Sequence, residues 1–272
     1  MEPTSPLETI KPITPIKPIN PIPWVYIYSP KYELFHHTLR TGVADCSGFA
    51  MTPRFFPQSA FSGLYKEGTH FMSGNCIKFL VLVEELRRHP GQHILITDVD
   101  LIIDNPVGLR DYLESYKQYE ITYMQESPGS DYSNIGFAMI QSTEATIQFY
   151  EQILEGLQAD PALHDQAYVN ERLRSFPGPK GVFEGGVVLN SNYYKMGTPF
   201  FVVQTLCSNE TYEKNMWEKL VSFARFYDLE PMRPLIPDDV WETLVWYYQR
   251  TNPAHPLASA NPRPNTEPLP IL

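Results

Sequence analysis

Cysteine is scarce in this sequence. Cys46, Cys76 and Cys207 are three residues in a chain of 272, and no two of them have the C-x-x-C spacing of zinc and redox sites. A cysteine-based zinc or redox motif is therefore excluded. We expect the three cysteines to be reduced thiols in the protein core.

Long apolar runs are also missing. Nowhere do 18 apolar residues follow one another, and residues 1–6 have neither the basic nor the apolar region of a signal peptide. The sequence therefore predicts a cytoplasmic protein without a membrane span.

Clusters of basic residues are absent as well. The formal net charge is -10, and no run of Lys and Arg stands anywhere in the chain. Nucleic-acid binders gain most of their affinity from contacts between such residues and phosphates, so we expect no nucleic-acid partner. A small phosphorylated ligand stays compatible with this composition, because one divalent ion supplies locally the positive charge that the chain lacks.

Proline is abundant, with 26 residues, and it is concentrated at both ends. Residues 11–22 repeat the triplet x-Pro-Ile four times, which matches the three-residue turn of polyproline II. This stretch is either a docking arm that presents a row of isoleucines or a stiff linker. We predict an extended proline-rich arm over residues 1–23, a single domain over 24–250 and an extended proline-rich tail over 251–272.

Two acidic residues interrupt an apolar run at residues 94–103. Apolar and β-branched residues in succession are typical of a buried strand, in which an ionised carboxylate is costly. If the strand ends at Thr97 and the backbone then bends, Asp98 and Asp100 can converge on one hard metal ion. The carboxyl edge of an α/β sheet is where such folds bind ligands. The alternative is an ordinary acidic loop after a strand.

Strand and helix patterns alternate along the chain. This order predicts an α/β fold with a mixed, mostly parallel central sheet and helices on both faces. In the first helix, Ile77, Leu80, Val81 and Leu86 have the spacing of one buried face. The predicted strands cover 24–28, 49–51, 94–97, 121–124 and 136–140, and the predicted helices cover 74–89, a segment capped by Ser142, and 211–227.

Several motifs follow one another over residues 77–214, about half of the chain. They are Lys78 at a helix start, Asp98-Val99-Asp100 before Asn105-Pro106, Asn134-Ile135-Gly136-Phe137 before Ser142-Thr143-Glu144-Ala145-Thr146, and His164-Asp165-Gln166 before Asn170. In this order they resemble the nucleotide-diphospho-sugar transferases, which are glycosyltransferases of the GT-A type that include plant xylosyl- and arabinosyltransferases.

The resemblance implies a Rossmann-like nucleotide-binding sheet, a Mn²⁺ or Mg²⁺ ion, a UDP- or GDP-sugar donor and a hydroxyl acceptor on a glycan or glycoprotein. It implies that Asp98 and Asp100 hold the metal and that Asp165 is the catalytic carboxylate. Asp165 would take the acceptor proton in an inverting enzyme; in a retaining one, which the plant relatives suggest, it would position the acceptor or stabilise the cationic sugar. The other implied contacts are Tyr28, Ser29, Lys78 and Val99 for the nucleotide and its metal, and Asn134, Gly136, His164 and Gln166 for the sugar.

Plainer interpretations exist for several of these residues. Asp165 has the position of an acidic residue at a helix N-terminus. Asn134 could instead cap the turn at residues 127–130, and Lys78 could be a solvated lysine. Family proteins have a histidine as third metal ligand where this chain has Gln204. His164 and His255 are the candidates to replace that histidine.

Two other functions compete with a glycosyltransferase. A haloacid-dehalogenase-like phosphatase also begins with D-x-D after a buried strand, and Asp238-Asp239 would be its late acidic pair. A structural or binding protein on an old transferase fold is the second alternative, and Gln204 and the proline-rich ends agree with it.

Overall fold

The structure is a computed structural model, and it describes residues 20–44, 46–57, 72–160, 163–184, 186–195, 199–205 and 212–259. Most of the x-Pro-Ile repeat, the last 13 residues of the tail and Cys207 lie outside these ranges. Cys46 is buried, as expected, whereas Cys76 is only half-buried, and neither forms a disulfide.

The described chain folds into nine strands and seven α-helices. The strands are β1 Ile22–Tyr28, β2 Phe49–Phe55, β3 His93–Thr97, β4 Leu101–Ile103, β5 Ile121–Gln125, β6 Ser133–Gln141, β7 Lys180–Phe183, β8 Val188–Asn190 and β9 Val202–Gln204. The helices are α1 Glu33–Val43, α2 Met72–Arg88, α3 Pro106–Glu114, α4 Glu144–Ala159, α5 Asp165–Leu173, α6 Tyr212–Ala224 and α7 Asp238–Thr251.

Six strands form a central sheet in the order β2-β1-β3-β6-β5-β7. Within this sheet β6 runs against the other five strands, which are parallel to one another. A second sheet has the order β4-β9-β8. The predicted α/β fold with a mostly parallel sheet is therefore confirmed, and the short segment between β3 and β4 passes from one sheet to the other.

Helices cover both faces of the central sheet. Apolar side chains of α2, α4 and α5 pack on one face with alternate residues of β3 and β6. The other face packs against α1, α3, α6, α7 and the small sheet. Trp24 on β1 is fully buried, and its indole Nε1 donates a hydrogen bond to Thr97 Oγ1 at 2.9 Å, which ties β1 to the end of β3.

Two details of the predicted helices are wrong. Leu80 is 42% exposed, because it shares a face of α2 with Glu84 and Arg87. The residues before and after it in the sequence are buried. Ser142 does not cap α4: Thr143 is the N-cap and forms a capping box with Thr146, while Ser142 donates to Leu86 O at 2.5 Å.

The ends of the described fold extend past the predicted domain limits. The limit between residues 23 and 24 falls inside β1, and the limit between residues 250 and 251 falls inside α7. A 3-10 helix at Pro256–Ser259 follows, and its Leu257 is 2% exposed. Within the described ranges, no helix has both the length and the apolarity to cross a membrane.

Candidate active site

The D-x-D segment begins where β3 ends at Thr97, as predicted. The backbone N–H of Asp98 donates to Gly136 O at 2.8 Å, which holds the segment against β6 before the chain enters β4. The Asp98 side chain is 40% exposed, whereas the Asp100 side chain is 6% exposed. The two acids therefore lie in different environments.

Both carboxylate oxygens of Asp98 accept a hydrogen bond. Lys78 Nζ lies 2.7 Å from Oδ1, and Gln204 Nε2 lies 2.7 Å from Oδ2. Lys78 is buried and also donates to Ile135 O at 2.6 Å, so the alternative interpretation of a solvated lysine is wrong. Asp98 therefore faces the site as a carboxylate that is already paired with a cation.

Asp100 is paired with Lys219, a buried lysine of α6. Lys219 Nζ donates to Asp100 Oδ2, and it lies 3.2 Å from Thr205 O. Burial raises the pKa of Asp100, Lys219 lowers it, and the nearby Asp98 raises it. Sequence reasoning missed Lys219. Its spacing could have indicated a buried lysine, because it lies three residues after Met216 and four before Phe223, on the apolar side of a helix. A lysine in such a place needs a buried acceptor.

Gln204 reaches Asp98 because β4 and β9 pair with Leu101 opposite Gln204. Its amide crosses Gly136 so closely that a Cβ atom on Gly136 would lie 1.9 Å from Gln204 Nε2. Within the described part of the chain, Gln204 Oε1 is buried without a hydrogen-bond partner. In this structure glycine at position 136 makes room for Gln204.

Glu126, a residue that the sequence analysis did not single out, connects two predicted sugar contacts. Its Oε2 accepts from Asn134 Nδ2 at 2.9 Å and from Gln166 Nε2 at 3.0 Å. Asn134 Oδ1 accepts from Gly136 N at 2.7 Å. The alternative interpretation, in which Asn134 caps the turn at 127–130, is wrong, because the Gln125 side chain makes those bonds.

Asp165 is the first residue of α5, and His164 is the N-cap whose Nδ1 accepts from Ala167 N at 3.4 Å. Asp165 is buried, and burial is the main cause that raises its pKa. Lys78 lowers this pKa and Asp98 raises it, so the charge of Asp165 interacts with the Lys78–Asp98 ion pair. The helix-start position predicted for Asp165 is confirmed, and its carboxylate is electrostatically part of the cluster.

Tyr28 and Ser29 lie at the carboxyl end of β1. Tyr26 pairs with Thr97, so Tyr28 and Asp98 leave the central sheet at the same edge. The Tyr28 ring stacks on His36 with centroids 4.0 Å apart, and burial lowers the pKa of His36. Ser29 is buried before the 3-10 helix at Pro30–Tyr32.

The Mn²⁺ or Mg²⁺ ion implied by the resemblance does not fit the residues as they are arranged. Among the residues that the structure describes, no group of three or more His, Cys, Asp and Glu side chains is placed to hold a metal. Gln204 presents its N–H to Asp98 rather than its oxygen. His255 does not replace the missing histidine, because its Nε2 contacts Ala224 O and its Nδ1 accepts from Leu257 N.

The acidic pair required by a phosphatase is not positioned for that chemistry. Asp238 and Asp239 lie exposed in the first turn of α7, where Asp238 pairs with Arg233. No strand leads into this pair in the described chain.

Comparison with known proteins agrees with the fold. Residues 86–219 match the model of the nucleotide-diphospho-sugar transferase family, a segment that contains Asp98, Asp165, Gln204 and Lys219. The crystal structure of a glycosyltransferase involved in the glycosylation of the major capsid of PBCV-1 is similar with a TM-score of 0.51 and 13% identity, over 74% of this chain and 100% of that chain.

Two further solved structures have lower TM-scores. The galactosyltransferase LgtC in complex with donor and acceptor sugar analogs has a TM-score of 0.49 and 10% identity, over 79% of this chain and 100% of that chain. Mouse xyloside xylosyltransferase 1 has a TM-score of 0.43 and 13% identity, over 71% of this chain and 100% of that chain. No curated protein sequence matches this chain. The resemblance indicated by the motifs is therefore confirmed: residues 86–219 match the nucleotide-diphospho-sugar transferase family, and the chain has a GT-A glycosyltransferase fold.

Proposed function

We propose that this protein transfers a sugar from a UDP- or GDP-sugar to a hydroxyl group of a glycan or glycoprotein acceptor. One observation carries the proposal. Lys78, Asp98 and Gln204 form a bonded cluster at the carboxyl end of β3, inside or next to the matched segment, and Asp165 interacts with its charges. Ligands of α/β sheets bind at this edge.

The leaving group defines the first chemical requirement. In the transfer, the bond between the anomeric carbon and the β-phosphate oxygen breaks, and its electron pair stays on the diphosphate. Lys78 is the ammonium group of the cluster, and its two bonds to Asp98 and to Ile135 O fix its position. A preorganised cation at this place offsets part of the charge that develops on the leaving group.

The acceptor defines the second requirement. Its hydroxyl oxygen bonds to the anomeric carbon and loses a proton, which Asp165 takes in an inverting reaction. A carboxylate whose pKa is raised by burial is a stronger base than an exposed one, and it suits this role. In a retaining reaction the same negative charge positions the acceptor or stabilises the positively charged sugar.

Polar side chains next to this carboxylate suit the donor sugar. Gln166 and Asn134 share Glu126 as an acceptor, which fixes the orientation of both amides. We assign them, with Gly136 and the exposed His164, to the sugar, and we assign Tyr28 and Ser29 to the nucleoside. The Mn²⁺ or Mg²⁺ requirement stays a prediction that the donor set does not favour.

The experiment is a thermal-shift screen of the full chain with UDP, GDP and their sugars, followed by measurement of nucleoside diphosphate released from each donor. A ligand at about 100 times its Kd should stabilise the protein by about 2.7 kcal/mol. Asp165→Asn should keep the thermal shift and lose most of the release. Hydrolysis of a simple phosphomonoester without attack on nucleotide sugars would favour the phosphatase, and nucleotide binding without turnover would favour the binding protein.

A further inference from the structure

We infer that Asp100 is one half of a buried structural ion pair with Lys219 and is not a metal ligand, so that this chain binds its nucleotide without a divalent cation. The nucleotide in this statement rests on the proposed function. The assignment of Asp100 does not, because it follows from the contacts of Asp100 and Asp98.

Burial separates Asp100 from the exposed side of the site. Asp100 and Lys219 are both buried, and Lys219 Nζ also contacts Thr205 O. Each charge is buried against the other, and removal of one partner would leave the other uncompensated. Because separation of the two charges is costly, the pair stays together. A metal ion that binds Asp100 would have to displace the Lys219 ammonium group from the interior.

Hydrogen bonds also hold the backbone of Asp100 in place. Thr205 N and Thr205 Oγ1 donate to Asp100 O at 3.1 and 3.0 Å. Three bonds therefore tie Asp100 to the end of β9 and to α6, and its carboxylate takes part in holding these elements together.

Asp98 alone does not provide a metal site. Its oxygens accept from Lys78 and Gln204, so Asp98 and Asp100 are each already paired with one ammonium group. A divalent ion would bring two more positive charges beside two lysines. The negative charges of the D-x-D pair are therefore already balanced by lysines, which removes one reason for a metal.

The orientation of Gln204 supports the same inference. Its Oε1 would have to replace Nε2 opposite Asp98 before it could coordinate a cation, and this would break the bond of 2.7 Å to Asp98. The amide is packed on Gly136, where even a Cβ atom would collide with it. The residue at the expected third ligand position is therefore already committed to Asp98.

The test compares Lys219→Met with the double variant Asp100→Asn/Lys219→Met in the full chain. Lys219→Met should lower the thermal midpoint by roughly 10 °C, because it leaves a buried carboxylate unpaired. The double variant removes both charges and should recover most of that loss. Equal midpoints of the two variants would overturn the ion pair.

Nucleotide affinity is measured by calorimetry with UDP and GDP, in EDTA and in Mn²⁺. For the nucleotide that binds, we expect the Kd values of the parent protein in EDTA and in Mn²⁺ to agree within about threefold. The Kd of the double variant in EDTA should agree with that of the parent protein within the same range. Binding that requires Mn²⁺, or that the double variant loses, would overturn the inference and leave the proposed function intact.

A second readout needs no nucleotide. Mn²⁺ is titrated into the protein without nucleotide, and its binding is followed by electron paramagnetic resonance. We expect no bound Mn²⁺ whose signal disappears in Asp98→Asn or Asp100→Asn. A bound ion that either variant abolishes would overturn the inference. If neither UDP nor GDP binds under any condition and no such ion is found, the proposed donor is wrong, while the assignment of Asp100 stands.

Discussion

Gly136 and Gln204 are in such close contact that a methyl group does not fit between them. A Cβ atom at position 136 would lie 1.9 Å from Nε2 and 2.4 Å from Oε1 of Gln204. The same Gln204 donates to Asp98, and Gly136 O accepts from Asp98 N at 2.8 Å. One glycine therefore sets the position of both the D-x-D backbone and its amide partner.

We expect Gly136→Ala to destabilise the protein by about 1–3 kcal/mol, because the added methyl group must displace a buried amide. Nucleotide binding should weaken with it, since Gln204 loses its place at Asp98. Gly186→Ala is the matched control, because a Cβ there meets no atom within 4 Å. Urea denaturation of both variants measures the difference, and equal midpoints would contradict the close contact.

Asp165→Asn should alter how stability depends on pH. Burial raises the pKa of Asp165 in the folded protein above the usual value of about 3.9. The folded state therefore holds this proton longer than the unfolded state, and its stabilisation is lost as the pH rises through the raised pKa. The asparagine variant lacks this loss, so it should gain stability relative to the parent protein above that window. Parallel stability curves from denaturation at a series of pH values would contradict the effect.

The same variant should separate binding from transfer. Asp165 acts on the sugar and the acceptor in the proposed reaction, so its replacement should leave nucleoside-diphosphate affinity within a few-fold. Transfer should fall by about 10²-fold or more, as expected for a lost base or charge stabiliser. Calorimetry and donor turnover measure the two quantities, and turnover at the parent rate would reduce Asp165 to a helix-start residue.

Glu126 should act as a positioning residue. Glu126→Ala removes the acceptor shared by Asn134 and Gln166, and we expect donor turnover to fall by about tenfold with a smaller change in nucleotide affinity. Glu126→Gln retains one acceptor oxygen and should recover part of the loss. The exposed Glu155→Gln is the control. Rates for Glu126→Ala that match this control would exclude the role.

The segment after α7 should contribute to stability. Leu257 is 2% exposed in the 3-10 helix that follows α7, and Leu257→Ala should cost about 2–5 kcal/mol. Leu235 is 41% exposed, and Leu235→Ala should stay within about 0.5 kcal/mol of the parent protein. Thermal unfolding compares the two. A chain that ends at Arg250 should lose stability to a similar degree as Leu257→Ala, whereas unchanged midpoints would show that residues 251–259 add nothing.

Local patterns predicted much of the central sheet. The apolar run before Asp98 predicted β3 and its end at Thr97, and the run after Asn134 predicted β6, because buried strands in such sheets are continuously apolar. The three-residue strands β4 and β8 are shorter than the pattern that identifies a strand. In α2 apolar residues point in most directions, so spacing alone did not show that Leu80 faces solvent.

Two partners of the acidic residues, Lys219 and Gln204, could not be predicted in this way. Asp100 and Lys219 are 119 positions apart, and Asp98 and Gln204 are 106 apart. Neither pairing leaves a periodic signal, because it depends on how the small sheet and α6 pack against the end of β3. The motifs therefore identified Asp98, Asp100, Asp165 and Lys78, while Lys219 and the contact of Gln204 with Asp98 appeared only with the tertiary structure.

This long separation also determines when the site can assemble during synthesis. Every carboxylate of the candidate site is made before α6 leaves the ribosome, since the last of them is Asp165 and α6 begins at Tyr212. Contacts of such high sequence separation form late, after the local strands and helices. A nascent chain that stops short of Lys219 would contain the whole D-x-D motif but lack the ammonium group that pairs with Asp100. We therefore expect the packing of α6 to be a late folding step that completes the site.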